Sequence, residues 1–280
     1  MDPLAAIQKR DVHREWIRRN VPAGMPIESV LKTDLFEEAY GQDELLFSLP
    51  LEASIKIGLD LDTATVKRAA DRERNPGCRF INADVRRLPL ADESIDVVLS
   101  NSTLDHFDTE FEIEQSLYEL IRVLKPGGIL LVTLDNPRNL LFSMLRAAAP
   151  WMGLAFSLGK TLPLKNLTEI LDRAGLELQS TGWLIHNPRF LSTLLFLLLR
   201  RLLGRRADVP IHWLLGVFAR FGSLPTRPLT GVFVAACARK PAARHSSIIQ
   251  SANGVDPAAA GVEINALQPA APFVPEIADR

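Results

Sequence analysis

The chain has 280 residues, with 32 lysines and arginines against 33 aspartates and glutamates, a formal net charge of −1, and 47% hydrophobic residues. That composition is ordinary for a globular chain, and the charge balance excludes a nucleic-acid partner held by bulk electrostatics. Cys78 and Cys237 stand far apart, without the spacing of metal ligands or of a disulfide framework, so two buried thiols in a reducing cytoplasm are expected.

Residues 1–20 alternate charged and apolar side chains and lack the apolar core of a signal peptide, which again points to a cytoplasmic location. From Asp2 to Arg19, Leu4, Ile7, Val12, Trp16 and Ile17 share one helical face, and Pro22 and Pro26 end that helix. Residues 1–26 therefore read as a helical extension. A first strand is expected over 27–31, followed by a mixed stretch with a short helix between Ala39 and Leu51. Further strands are expected at 55–60, 79–82, 95–101, 129–134, 176–185 and 231–238, with helices over 62–73, 110–124, 140–149 and 167–174. Asp62 is placed to cap its helix, Asn75-Pro76-Gly77 to make a turn, and Gly175 to close a helix in a left-handed conformation. Beyond Pro241 the composition shifts to Ala, Pro, Ser and Gly, so 242–280 reads as a disordered tail.

Alternation of strands and helices argues for an α/β, Rossmann-like, doubly wound and mostly parallel sheet. Three apolar runs in its first half end in a carboxylate or an amide: Asp60, Asp84 and Asn101. Parallel strands whose carboxyl ends meet a polar ligand have this pattern. A carboxylate at Asp60 can accept from two vicinal hydroxyls, or else be a solvated turn acid. Asp84 can serve a ligand or pair with Arg86 or Arg87.

The stretch from Gly58 to Thr133, with Asp60, Asn82-Ala83-Asp84 followed by Leu88-Pro89, and Leu124-Lys125-Pro126-Gly127-Gly128, resembles class I S-adenosylmethionine-dependent methyltransferases of the small-molecule group. The resemblance covers residues 27–241. It implies a seven-stranded sheet that closes with a C-terminal antiparallel hairpin, and S-adenosyl-L-methionine as cofactor; the apolar stretches of this sequence add a helical insertion at 188–222, between the last two strands. By the same resemblance, Asp60 with Leu61 would take the ribose, Asp84 the exocyclic amine of adenine, and the Val85 amide a ring nitrogen. Ser100 and Asn101 would lie beside the methionine portion. His106 and Asp105, adjacent in the chain after the fourth strand, are the candidate bases; a surface position for His106 is the plain alternative. No metal ligand set is expected.

Members of this family follow the first strand with a glycine-rich loop, where bare backbone approaches the cofactor. Here that place reads Thr33-Asp34-Leu35-Phe36-Glu37-Glu38, without a glycine before Gly41. Either Thr33 and Asp34, with Glu37, form a rebuilt loop that reaches the cofactor's ammonium, or the pocket has closed around side chains. The same absence argues against a nicotinamide oxidoreductase.

Phe190 to Leu199 is the most apolar run in the chain, followed by Arg200, Arg201, Arg205 and Arg206. As a helix its uninterrupted apolar part extends about 15 Å, half of a bilayer core, so it does not span. It fits a lid over a hydrophobic small-molecule substrate, a peripheral membrane contact through 190–206, or packing against the sheet or a second subunit. The functional expectation is a methyltransferase acting on a small, hydrophobic molecule; the alternative is an inactive methyltransferase-like binding or scaffold module.

Overall fold

The computed structural model describes residues 2–41, 43–73, 77–140 and 159–242. The turn at Asn75-Pro76, nearly all of the helix expected over 140–149 and the tail from 243 lie outside the described residues.

The elements run in the order α1 (Pro3–Asn20), β1 (Ser29–Thr33), α2 (Phe36–Tyr40), β2 (Ile55–Asp60), α3 (Thr63–Arg72), β3 (Cys78–Asn82), β4 (Ile95–Asn101), α4 (Glu110–Val123) and β5 (Leu124–Asp135). Then follow α5 (Leu164–Arg173), β6 (Glu177–Leu184), α6 (Arg189–Leu203), α7 (Asp208–Ala219), α8 (Arg227–Thr230) and β7 (Phe233–Arg239). The seven strands form one sheet in the order β3-β2-β1-β4-β5-β7-β6. The first five are parallel, and β7 runs antiparallel to both β5 and β6. The expected terminal hairpin is present. The inserted helices extend to Thr230, beyond the 188–222 read from the sequence.

The first strand lies two residues later than expected. Val30 pairs with both Lys56 and Val97, and Thr33 with both Leu59 and Ser100, so Thr33 is the last strand residue and not part of the loop. Strand β5 also begins earlier than expected, at Leu124, because Leu124 pairs with Ile95 before the ladder resumes at Val97 and Ile129. The break accommodates Lys125-Pro126-Gly127-Gly128. Gly127 has φ +80°, and a Cβ on Gly128 would fall 2.8 Å from the Lys125 carbonyl oxygen and 2.9 Å from that of Asp96. The two glycines are structural requirements of this turn.

Both faces of the sheet are covered, which is why β1, β4 and most of β5 are buried nearly throughout rather than on alternate residues. Ile113, Leu117 and Leu120 of α4 pack on one face with Leu167 and Leu171 of α5. Ile17 of α1, Leu35, Ala39 of α2 and Ala69 of α3 pack on the other. A third cluster joins α1 to the insertion through Ala5, Phe196, Ile211 and Leu215. Local signals place the helix ends. Asp62 accepts from the Thr65 amide at 2.9 Å, a reciprocal Thr109–Glu112 capping box opens α4, and Gly175 at φ +79° follows α5. The strand order reverses between β1 and β4, so a crevice opens at their carboxyl ends.

Candidate active site

A cavity of about 520 Å³ opens at that reversal point. Asp34, Asp60, Asn101 and His106, all singled out from the sequence, line it together. That volume lies within the range of about 300–1,000 Å³ typical of small-molecule sites.

The glycine-free turn is rebuilt by its own side chains. Asp34 takes a left-handed backbone, φ +64°, and its carboxylate accepts from the Phe36 amide at 2.7 Å. An aspartate tolerates this conformation because its short side chain bonds locally. Leu35 turns away from the cavity and is fully buried. It rests on Gly58 of β2, where an added Cβ would meet Leu35 Cδ2 at 2.5 Å and Leu46 Cδ2 at 2.8 Å. The glycine that permits close packing here stands on the neighbouring strand and not in the loop. Beneath the turn, the Lys32 ammonium meets the Glu38 carboxylate at 2.9 Å and donates to the Asp34 carbonyl, while Glu38 also accepts from the Leu46 amide at 2.8 Å. Burial opposes the charge on Lys32, but the Glu38 and Asp34 carboxylates outweigh it and hold its pKa above the ordinary lysine value.

Asp60 ends β2 with one oxygen accepting from the Leu35 amide and the other from the Asp62 amide, each at 2.9 Å. Each carboxylate oxygen keeps acceptor capacity for a ligand hydroxyl. Across the cavity, helix α1 contributes Lys9 and His13. Lys9 binds Glu37 at 2.8 Å and Asp43 at 3.3 Å. The second oxygen of Asp43 is buried with no hydrogen-bond partner among the described residues. Burial pushes the Asp43 carboxyl above its usual range, against the pull of Lys9; burial does the same to Asp34, against Lys32. Six carboxylates (Asp34, Glu37, Asp43, Asp60, Asp62 and Asp135) face two lysines here. The lining is chemically suited to a ligand with cationic groups and several hydroxyls.

His13 donates from Nδ1 to the Lys9 carbonyl at 2.8 Å and packs edge-on to Phe233 with ring centroids 5.8 Å apart. Thr33 and Ser100 lie behind the cavity wall, fully buried, and their hydroxyls bond at 3.2 Å. His106 is exposed at the rim, whereas Asp105 is buried and accepts from the Asp135 amide at 2.7 Å and the Ser102 hydroxyl at 2.9 Å. Asp105 thus ties the loop after β4 to the end of β5 and does not face the cavity.

Leu61, Asp84 and Val85 are not in the cavity wall. Leu61 is 67% exposed, Val85 is buried in the core, and Asp84 is held by the Arg86 guanidinium, with the shortest contact 2.6 Å. Those hydrogen bonds keep the Asp84 carboxyl below its usual range. Arg86 in turn reaches Glu112 and lies over the Phe107 ring at 5.0 Å.

Lys9, His13, Lys32, Glu38 and Asp43 escaped the sequence reading. The one local signal was Lys32, a lone ammonium inside the apolar run from Val30, six residues before Glu38. Among the described residues, no group of three or more His, Cys, Asp or Glu is arranged to hold a metal ion. Cys78 and Cys237 are free thiols, each pushed up to about 12, chiefly by burial.

Residues 39–132 match the model of a family described as methyltransferase domain. A protein of Mycolicibacterium smegmatis named as a probable S-adenosylmethionine-dependent methyltransferase is 32% identical over 141 residues, 47% of each chain. A phthiotriol/phenolphthiotriol dimycocerosates methyltransferase of Mycobacterium ulcerans is 41% identical over 85 residues, 29% of each chain. The matched segments thus span less than half of these relatives. Among solved structures, geranyl diphosphate C-methyltransferase from Streptomyces coelicolor, in complex with Mg2+, geranyl diphosphate and S-adenosyl-L-homocysteine, superposes with a TM-score of 0.54 at 13% identity, covering 82% of this chain and 79% of that one. At that identity the likeness speaks for the fold.

Proposed function

We propose that the chain is a class I S-adenosylmethionine-dependent methyltransferase, a reading supported by its match over residues 39–132 to a methyltransferase-domain family and by its 32% identity over 141 residues to a relative named as one, and that it transfers a methyl group to a hydrophobic small molecule. The observation that carries the reading is the acidic cavity at the carboxyl ends of β1, β2 and β4. S-adenosylmethionine, when bound, supplies a methyl group already activated on a sulfonium.

The residues present fit that molecule. Asp60, at the end of β2, accepts from the ribose hydroxyls. The buried, unpartnered Asp43 oxygen supplies an acceptor for the ammonium, with Asp34 and Glu37 beside it. The adenine would lie toward Asp84, which must then share its oxygens with Arg86. Transfer by direct displacement asks the protein to align the acceptor and exclude water. His106 at the rim takes the proton of a hydroxyl acceptor, imidazole being the side chain that exchanges protons near neutral pH.

An apolar acceptor is supported by a groove of about 620 Å³ between α1, β6 and α7, whose walls include Leu4, Ile7, Trp16, Leu184 and Leu215. Two smaller cavities lie between this groove and the acidic one. Gln8 and Val12 are common to the groove and the first, Ile185 and Asn187 to both small cavities, and Lys9 and Phe233 to the second and the acidic site. A chain-like apolar tail seated in the groove would direct its polar end toward Phe233 and His106. The Mycobacterium ulcerans relative, named for phthiotriol and phenolphthiotriol dimycocerosates, accords with this.

Calorimetric titration with S-adenosylmethionine and S-adenosylhomocysteine tests the reading. Binding in the micromolar range, weakened in Asp60→Asn, is the expected result. Folded protein that binds neither at millimolar concentration overturns it and leaves a methyltransferase-like scaffold.

A further inference from the structure

Helix α6 carries its apolar residues on the wrong side for a surface helix of a globular protein. Ser192 and Phe196 mark its inner side, each 2% exposed. On the opposite side Leu191, Leu194, Leu195, Leu198 and Leu202 recur at three- and four-residue spacings, with exposures from 36% to 70%. At 100° per residue these five fall within an arc of about 100°. A stripe of that width ordinarily faces a core.

The polar residues nearby are almost all of one sign. Residues 189–230 contain seven arginines and a single carboxylate, Asp208, although the whole chain has a net charge of −1. Asp208 is already engaged by Arg200, which also binds Asp2 at 2.8 Å. Arg201, Arg205 and Arg206 are exposed at the end of the leucine stripe. Val209 and Trp213 of α7 add exposed apolar surface, 77% and 66% accessible. No described helix is long and apolar enough to cross a membrane.

We propose that the outer face of α6, with Val209 and Trp213 of α7, docks the protein in the plane of an anionic lipid bilayer. Leucines on one face, a tryptophan and flanking arginines are the composition of an in-plane interfacial helix. Phosphate groups supply the negative charge that residues 189–230 lack. A second copy of this chain is the poorer occupant, since self-association through α6 brings two basic segments together with one already paired carboxylate apiece. Helix α7 also forms a wall of the apolar groove, so docking brings that groove to the bilayer surface. The proposal stands on this surface alone and does not require the methyl-transfer reading.

Flotation of the full chain with vesicles of phosphatidylcholine, with or without phosphatidylglycerol, tests it. Flotation with the anionic vesicles only, diminishing as salt is raised, is the expected result. Leu194→Asp with Leu198→Asp abolishes it. Arg201→Ser, Arg205→Ser and Arg206→Ser together lower the partition coefficient by about two orders of magnitude. Circular dichroism and thermal melting check that the variants remain folded. If a variant does not fold, the lipid and salt dependence of the unmodified chain decides. No flotation of the unmodified chain with either vesicle overturns the proposal, as does undiminished flotation of the folded leucine variant. A dimer in light scattering that the leucine variant disperses, without vesicle binding, assigns the face to self-association and also overturns it.

Discussion

Lys32 in β1 and Glu38 in α2 form an ion pair at 2.9 Å whose side chains are 5% and 0% exposed. Glu38 also holds the Leu46 amide, so the pair fastens the glycine-free turn to the segment that follows α2. Removing one partner leaves an uncompensated buried charge, which costs about 3–5 kcal/mol. Lys32→Met is expected to lose that much in urea unfolding. Lys32→Met with Glu38→Gln should lose less, because the amide still serves Leu46 and no charge is left buried. With the Lys32 pKa raised, the pair's contribution is complete below the ordinary lysine value of about 10.4 and disappears as pH rises through the higher folded value.

Asp43 has the opposite relation to stability. Burial raises its pKa, so the folded protein binds this proton more tightly than the unfolded chain does. Its contribution therefore falls as pH rises from the ordinary carboxylate value through the raised one. Asp43→Asn is expected to be more stable than the unmodified chain at neutral pH, with a flatter pH profile in thermal melts. The same variant should bind S-adenosylhomocysteine about tenfold more weakly, having lost a charged acceptor.

Asp96 provides the contrast at the other end of the sheet. It accepts from the Glu28 and Ser29 amides at 3.0 and 2.9 Å and pairs with Lys125 at 2.9 Å. Burial opposes its charge, but the Lys125 and Ser29 bonds prevail and lower its pKa. Its contribution is present above the ordinary carboxylate value and is lost as pH falls through the depressed one. Asp96→Ala should cost about 1.5–3 kcal/mol at neutral pH, and the difference from the unmodified chain should shrink in acid.

Gly58→Ala places a methyl group 2.5 Å from Leu35 Cδ2, and overpacking of this kind costs about 1–3 kcal/mol. If Leu35 has taken over the space above Gly58, adding Leu35→Ala should recover part of that loss. A double-mutant cycle by urea denaturation measures the coupling; strictly additive losses would show that the two residues do not share the space.

Local spacing by itself determined most of the framework. The alternation of apolar runs with helical stretches, the Asp62 cap and the Gly175 helix end are each set by residues within a few positions of one another, and their physics survives without tertiary context. Asp34, Asp60, Asn101 and His106 were legible because parallel strands deliver their carboxyl ends to one edge. The remaining features depend on partners brought from elsewhere. Whether the glycine-free turn leaves a cavity depends on Leu35 finding Gly58 and on Lys32 finding Glu38. Lys9 and His13 reach the site only because α1 folds across its mouth. Asp84 had Arg86 and Arg87 within reach of its sequence position, and the packing of Arg86 between Glu112 and Phe107 brings Arg86 to it. Periodicity showed that 190–199 is apolar, but it does not say which side of a helix meets the core. Only the tertiary structure turns Phe196 inward, into the third core cluster with Ala5, Ile211 and Leu215, and the five leucines outward.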